Sequence, residues 1–426
     1  MNRPLSVLAV TSQPPWPLDR GGHLRSFHLI RALAGSCYVR LVAPTASFDA
    51  EACAALTQVL VDFRPVAVPE RSALREGCRA ARAAFTFQPY VMYLRHRWHA
   101  VRQLLAREAA ADPPDVWYFD HLDSFQYADL CGSTPFVVDC HNVYSELAGR
   151  TGDESRGALR RRYLQREGRL LARMERRAAR TARAIVAVSE RDAEHYSNLG
   201  ASRVYLAPNG VDTRAYATLR GGGYSAEPII LFVGTMSWPP NVSAVNFLAS
   251  VVLPAVRRRI PAARLRIVGA DPTPEVQSLA ALPGVEVTGR VPHIAPYLRD
   301  AQVLAVPLEA GGGTRLKILE AFAAGVPVVA TAVAAEGLAV IADHHLSLAE
   351  RDHFAESVTD VLLDPVRAAR RSAHARKLAA QRYDWDAIGQ VTYRAVAESA
   401  EGIDRGDRNR VRVPAPAVFT PRSVQS

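Results

Sequence analysis

The chain has 426 residues, 49% of them hydrophobic and 22% charged, which is enough apolar material for two large domains and too much for a disordered polymer. Its formal net charge is +10, but the excess is uneven and carries no aromatic interleaving, so nucleic acid is not the expected partner. The five cysteines (Cys37, Cys53, Cys78, Cys131 and Cys140) have no CxxC spacing, which argues against a zinc site or a disulfide scaffold and fits a reducing cytosol.

Residues 5–10, LSVLAV, are too short for the core of a signal sequence and read as a first buried strand. No uncharged apolar run approaches 18 residues, so no transmembrane helix is expected. Residues 11–22 form a loop rich in Pro and Gly that ends in Gly21 and Gly22. Leu24, Phe27, Ile30 and Leu33 then recur on one helical face, and Gly35 stops that helix. Residues 38–42, 116–119, 136–139 and 185–188 are further short apolar runs, the pattern of a parallel sheet buried on both faces. From Arg156 to Arg183, eleven arginines stand against Glu167 and Glu175, with Leu159, Tyr163, Leu170, Met174 and Ala178 at three- to four-residue spacing. This predicts one amphipathic helix with a basic outer face, either merely solvated or turned toward anionic lipid or a phosphorylated carrier.

Residues 207–212, APNGVD, are rich in turn formers, and the three glycines at 221–223 read as a linker. The second half repeats the cycle: a strand at 229–234, a loop at 235–241, a helix at 242–252, and strands at 264–269, 285–287 and 303–307. The expected architecture is two doubly wound α/β domains, at 1–212 and 228–382, joined by a linker at 213–227. A helix at 383–401 follows, then a polar, Arg- and Pro-rich tail at 402–426 read as disordered, whose RGD string is taken as chance. Ligands in such folds lie beyond the carboxyl ends of strands, which makes the cleft between domains the default site.

The most informative stretch, residues 311–331, reads GGGTRLKILEAFAAGVPVVAT. Strand, glycine loop, helix, strand is how an α/β sheet presents backbone N–H groups to an anion. Amides at Gly311, Gly312, Gly313 and Thr314 would face a diphosphate, reinforced by Arg315 or Lys317, and Glu320 could accept bonds from sugar hydroxyls. Only two of the 52 basic residues are lysines, Lys317 and Lys377. The absence of GK[ST] means that this is not a P-loop. The competing reading is a plain loop with Lys317 and Glu320 as a surface pair.

This segment resembles the donor-binding signature of GT-B glycosyltransferases of the family 4 type. SQPPWPLDRGGHLRSFHLIRALA, VVDCHNVYSELAGR, APNGVD, FVGTMSWPPN, RIVGADP, VEVTGRV and YDWDAIGQ resemble further family segments in family order, up to about residue 398. The resemblance implies two Rossmann-like domains facing across a cleft, with a C-terminal helix crossing back. It implies transfer of a sugar from a nucleotide-diphosphate sugar to an acceptor hydroxyl with retention of configuration, the acceptor being a glycan, a lipid-linked or a small molecule. Gly21 and Gly22 would approach the donor or be a plain turn, and His141 would orient sugar or acceptor or be structural, with Asn142 and Asp139 as weaker candidates. Glu320 would hold the ribose, while Gly234, Gly269 and Ala270 with Gly289 and Arg290 would surround the nucleotide. Two departures stand out: Gly312 replaces the first Glu of the E-x7-E motif, with Glu309 no clean substitute, and GTMSWPPN lacks the usual cations. Arg315 and Lys317 would then carry the diphosphate charge. No metal is expected, because the only DxD string, Asp384-Trp385-Asp386, reads as a helix cap. A cytoplasmic enzyme, peripheral at the membrane face, is the expectation; a catalytically silent GT-B subunit and a GT-B epimerase are the alternatives.

Overall fold

Short apolar runs alternating with helices can bury both faces only as parallel strands, and every strand pairing in both sheets is parallel. In the computed structural model the described residues are 3–18, 21–47, 50–59, 62–90, 93–153, 157–219, 227–310 and 315–401. They form two units, one running to Leu206 and resuming at Val391, the other Ala207–Gln390.

The first unit contains β1 (Ser6–Val10), α1 (Gly21–Ala34), β2 (Tyr38–Thr45), α2 (Ala50–Val59), β3 (Asp62–Ala67), α3 (Ala73–Thr86), α4 (His99–Ala111) and β4 (Val116–Asp120). It continues with β5 (Phe136–Cys140), α5 (Tyr144–Asp153), α6 (Ala158–Thr181), β6 (Ala184–Ala187), α7 (Glu190–Asn198) and β7 (Val204–Leu206). The strand order β3-β2-β1-β4-β5-β6-β7 reverses direction between β1 and β4, so the loops leaving those two strands splay apart and open a crevice. Fully buried Leu8, Trp117, Phe119 and Val138 fill the core beneath it.

The second unit contains β8 (Ile229–Val233), α8 (Pro239–Phe247), α9 (Leu253–Arg257), β9 (Arg264–Val268), α10 (Pro274–Ser278), β10 (Val285–Val287), α11 (Ala295–Asp300) and β11 (Val303–Val306). After these come α12 (Leu316–Ala324), β12 (Val328–Ala330), α13 (Ala332–Ala335), β13 (Ser347–Leu348), α14 (Arg351–Leu363), α15 (Pro365–Arg382) and α16 (Trp385–Ala400). Its order, β10-β9-β8-β11-β12-β13, switches between β8 and β11, around a core that includes Ile230, Phe232, Leu304 and Phe322.

Several sequence expectations need correction. The helix expected at 242–252 starts at Pro239 and runs through a π turn (Leu248–Val252) into α9. Proline is at home in a first helical turn, where its missing N–H costs nothing, and so extends the helix backward. The resulting helix, Pro239–Arg257, is by length and composition apolar enough to cross a membrane, contrary to expectation; its Ala244, Val245, Leu248, Val252 and Val256 are buried in the core of the second unit. On α6, Leu170 and Ala178 are buried as the spacing predicts, but Leu159 is 85% exposed and Tyr163 40% exposed. The buried face is instead anchored by the two acids: Glu167 accepts the Tyr90 N–H at 2.8 Å, and Glu175 accepts the Ser145 N–H at 3.0 Å. The unit boundary falls at 206/207, ahead of the expected linker, because Val211 is tied to the far end of the second unit: its N–H donates to Tyr383 O at 2.7 Å, and Trp385 N–H donates back to Val211 O at 3.3 Å. Asp384 caps α16, accepting the Asp386 N–H at 2.9 Å and the Thr213 N–H at 3.3 Å. The helix ends in the first unit, where Glu398 accepts the Tyr205 hydroxyl at 2.5 Å.

Candidate functional site

In the first unit the polar residues gather where the sheet order switches. Register sets Asp120 of β4 directly beside Asp139 of β5 at the carboxyl edge. Two buried like charges so placed demand cations. Arg25, on the inward face of α1, donates Nε to Asp139 Oδ2 at 3.0 Å, with both side chains fully buried. His141, the first residue after β5, places Nε2 3.0 Å from Asp120 Oδ1 and 3.1 Å from Asp139 Oδ2. Ser26 donates to the other Asp120 oxygen at 2.8 Å. Burial alone would lower the His141 pKa, but Asp120 and Asp139 outweigh it and raise it to about 9, so the ring is an imidazolium at neutral pH. Desolvation opposes the Asp139 charge, yet Arg25 and His141 hold it well below the carboxylate range. The neighbouring His121 ring meets His141 edge-on at 4.4 Å and is pushed down by burial and by that charge, so it stays neutral and bonds the Tyr144 hydroxyl through Nδ1 at 2.7 Å.

Gly22 belongs to this group. A Cβ built on it would lie 3.9 Å from His141 Nδ1, so the first turn of α1 stands over the imidazolium edge that faces away from the carboxylates. Asp120, Asp139 and His141 also offer three donor atoms within 4.8 Å of one another, a spacing a metal could use. The Arg25 guanidinium already occupies the cationic position against Asp139.

In the second unit, three strand ends are laced together by glycines. Gly234 N–H donates to Val268 O at 3.0 Å, Met236 N–H to Ala270 O at 2.8 Å, and Gly269 N–H to Gly289 O at 3.1 Å. Gly269 sits at φ +155°, and a Cβ there would fall 1.7 Å from Gly234 O, so no side chain fits. A Cβ on Gly234 would fall 2.6 Å from Asn241 Nδ2 and 3.0 Å from Lys317 Nζ. That closeness is what brings Lys317 over the end of β8. Its ammonium donates to Asn241 Oδ1 at 3.0 Å and lies 4.3 Å from the centre of the Phe232 ring. Desolvation, with Arg315 adding to it, lowers the Lys317 pKa to about 7, and Glu320 only partly offsets the shift. Glu320, three residues on along α12, is raised to about 7 by desolvation against the opposing pull of Tyr216 and Lys317; the Tyr216 hydroxyl donates to it at 3.4 Å. A cation and an anion on one helical face are each held near half-ionisation, the condition expected of groups that await a polar ligand.

The remaining expected residues are placed as follows. Gly311, Gly312, Gly313 and Thr314 lie outside the described residues. Arg315 is buried at the start of α12 and donates to Val333 O at 2.6 Å, with Glu336 at 3.7 Å, so its guanidinium is engaged with α13 and its neighbour. Glu309 pairs with Arg351 at 3.0 Å. Arg290 is exposed, 3.7 Å from Asp271. Gly21 opens α1, and Asn142 is half-buried in the turn between β5 and α5. Sequence reasoning missed Arg25, Asp120, His121, Tyr216 and Asn241. The run Asp120-His121-Leu122-Asp123, directly after an apolar strand, was the available signal for two of them.

Two all-parallel doubly wound units, each with polar groups gathered at its topological switch point, have the architecture of the GT-B fold. Residues 21–215 match the family model described as Glycosyltransferase Family 4, and residues 227–364 match that described as Glycosyl transferases group 1. The chain belongs to these glycosyltransferase families. Glycogen synthases from two Mycobacterium tuberculosis strains, CDC 1551 / Oshkosh and ATCC 25618 / H37Rv, are each 27% identical to it over 215 residues, covering 48% of this chain and 50% of theirs. The chain thus spans about half the length of the curated relatives it matches. Among solved structures, Anabaena HepE in complex with UDP-glucose superposes with a TM-score of 0.63 at 14% identity, over 92% of this chain and 100% of that one. Sucrose-phosphate synthase from Thermosynechococcus elongatus gives 0.62 at 18%, over 93% and 99%. WaaG, a glycosyltransferase involved in lipopolysaccharide biosynthesis, gives 0.57 at 16%, over 92% and 99%. These likenesses show the fold.

Proposed function

We propose that the protein transfers a sugar, with retention of configuration, from a nucleotide-diphosphate sugar to an acceptor hydroxyl. The observation that carries this reading is the Lys317–Glu320 face of α12, desolvated beside Gly234 and Asn241 and immediately after the glycine segment. In this reading the second unit holds the donor. The glycine-loop amides, the α12 dipole and Lys317 meet the departing diphosphate, with Arg315 setting the local field, and Glu320 accepts from the ribose hydroxyls. Gly269 and Gly289 let the backbone come close to the base, flanked by Arg290. The first unit serves the acceptor. His141, fixed as an imidazolium by Asp120 and Asp139, offers its Gly22-facing edge as a donor to a sugar or acceptor oxygen. No protein side chain is assigned as nucleophile, and the leaving-group charge is met without a metal.

That HepE was solved with UDP-glucose supports a uridine-diphosphate sugar as the first donor to try. The second reading for a partner is a membrane surface. On α6, Arg160, Arg161, Arg162, Arg169, Arg173 and Arg176 are exposed while both acids point inward, which supports a peripheral position at the cytoplasmic membrane face. The functional reading is tested by measuring UDP or GDP released from candidate nucleotide sugars, with and without acceptor. Release that Lys317→Ala and Glu320→Ala each abolish is the expected result. Failure to bind any nucleotide at millimolar concentration would leave a catalytically silent subunit, and donor conversion without acceptor would indicate an epimerase.

A further inference from the structure

A cavity of about 480 Å³ opens in the first unit between α3 and the start of α4. Its floor is apolar, made by Ala83, Leu94 and the Trp98 indole, and its rim is basic, with Arg79, Arg82 and Arg97 among the lining residues. Arg102 also lines it, and Arg71 and Arg95 stand close by, against Trp98 and Glu76. Glu76 is taken by Arg79 at 3.3 Å and Arg95 at 3.4 Å, and Asp129 by Arg102 at 2.5 Å. Arg71 and Arg79 lie 5.9 Å and 4.8 Å from the centre of the Trp98 ring. Arg82 and Arg97 are exposed and have no acidic partner among the described residues.

Cations outnumber carboxylates here, with Arg82 and Arg97 left outside the ion pairs, and they do so at a cavity rather than on an open helix face. His96, next to Arg97, adds no charge of its own, because burial and the surrounding arginines lower it to about 4. α4 begins at the pocket wall, with Trp98 and His99 both lining it and no side chain capping its first turn. From His96, the residue before Arg97, a chain of contacts leads to the His141 group. His96 Nδ1 is 3.8 Å from Asp123 Oδ2, which is 3.6 Å from His121 Nδ1, whose ring abuts His141.

We infer that this pocket binds a phosphate or carboxylate carried on an apolar body, Arg82 and Arg97 gripping the anion while the body lies on Ala83, Leu94 and Trp98. Resting on the glycosyl-transfer reading, the bound group is the anionic part of the acceptor. The soluble and the lipid-borne forms of such an anion share this chemistry.

The test is isothermal titration calorimetry of the full chain with sn-glycerol 1-phosphate and with dihexanoyl phosphatidic acid. It compares wild type, Arg82→Gln/Arg97→Gln, and a control at two exposed arginines of the second unit, Arg258→Gln/Arg370→Gln. Expected is binding of at least one probe to wild type, at least about tenfold weaker in the pocket variant and unchanged in the second-unit control. A preference for phosphatidic acid supports the site, and equal binding of the two probes, showing that the apolar floor contributes nothing, overturns the inference. The inference is overturned if neither probe binds wild type at about 10 mM, if the pocket variant binds like wild type, or if the second-unit control loses as much. Both arginines are exposed, so the pocket variant should keep the wild-type melting temperature. Nucleotide binding is read separately: if wild type binds no nucleotide at millimolar concentration, the transfer reading fails and the calorimetric result stands.

Discussion

Lys317→Met separates a ligand-binding lysine from a structural one, because the two roles predict opposite signs for stability. The Lys317 ammonium is held at a pKa of about 7 against an ordinary 10.5, mainly by desolvation. At pH 7 the unfolded chain is fully protonated at this position, so the shift is worth about 4 kcal/mol of destabilisation before correction. The side chain keeps part of its surface in solvent, and halving the figure for screening leaves about 2 kcal/mol. Methionine removes that cost and fills a similar volume, but it gives up the hydrogen bond to Asn241 Oδ1, worth about 1 kcal/mol. Asn241 Nδ2 stays bonded to Thr235 O at 2.9 Å, so that loss is contained. The variant should gain roughly 1 kcal/mol, or about 2–4 °C in melting temperature, while losing tenfold or more in nucleotide affinity. The sign of the pH dependence follows from a folded pKa that is depressed. The penalty is complete below about pH 7, shrinks as pH rises from about 7 toward 10.5, and is gone above, so the advantage of the variant should fade across that window. Urea denaturation from pH 6 to 10 and calorimetry with UDP read both quantities. A variant that is less stable at pH 7 and binds UDP as wild type does would refute the reasoning and make Lys317 a packing residue.

His141→Asn should behave in the opposite way. The folded pKa of His141, about 9 against an ordinary 6.5, contributes about 3 kcal/mol that is complete below pH 6.5 and lost as pH rises to 9, so the cost of the substitution in urea melts should shrink over that window. Gly269→Ala puts a Cβ 1.7 Å from the Gly234 carbonyl oxygen and should cost more than about 4 kcal/mol, read as loss of soluble folded protein; a variant that melts like wild type would contradict the lacing of β8 to β9. EDTA should leave nucleotide release unchanged, and a loss restored by Mn²⁺ or Mg²⁺ would reopen the Asp120, Asp139 and His141 donor set as a metal site. Arg169→Glu/Arg173→Glu/Arg176→Glu should weaken sedimentation with phosphatidylglycerol vesicles by about 1 kcal/mol per charge, and unchanged sedimentation would make the basic face merely solvated.

The parallel core was legible in the sequence because its strands are continuous apolar runs; VLAV at β11 and VVA at β12 admit little else. The edge strand β3, DFRPVA, was not, because an edge tolerates charge and proline and so carries no apolar signature. Helix starts were misread where proline intervened, as at Pro239. In the candidate site, residues at strand ends could be found by position, and Lys317 by rarity. Arg25 could not: an arginine one step from Leu24 on a helix looks like surface, and its burial makes sense only once Asp139 is known to stand beside Asp120. Tyr216 was hidden for a related reason. It lies in a stretch that reads as linker, and only the fold brings its hydroxyl to Glu320.

The two switch points treat charge in contrary ways, and the contrast bears on which of them waits for a ligand. The four charges centred on His141 are matched: Arg25 and His141 answer Asp139, and Ser26 and His141 answer Asp120. Removing one member would strand the others at about 3–5 kcal/mol, so this group is rigid before anything binds, as a positioning device must be. Around Lys317 the balance is left incomplete. The lysine is pushed toward neutrality, Glu320 toward protonation, and the nearest cation, Arg315, is turned to the Val333 carbonyl and Glu336. A diphosphate would restore the lysine charge and a sugar hydroxyl would satisfy the carboxylate, so ligand binding would recover energy that folding leaves unspent. The desolvated face of α12 is therefore where binding affinity should concentrate, and the His141 group is where misplacement should lower turnover with little change in nucleotide affinity.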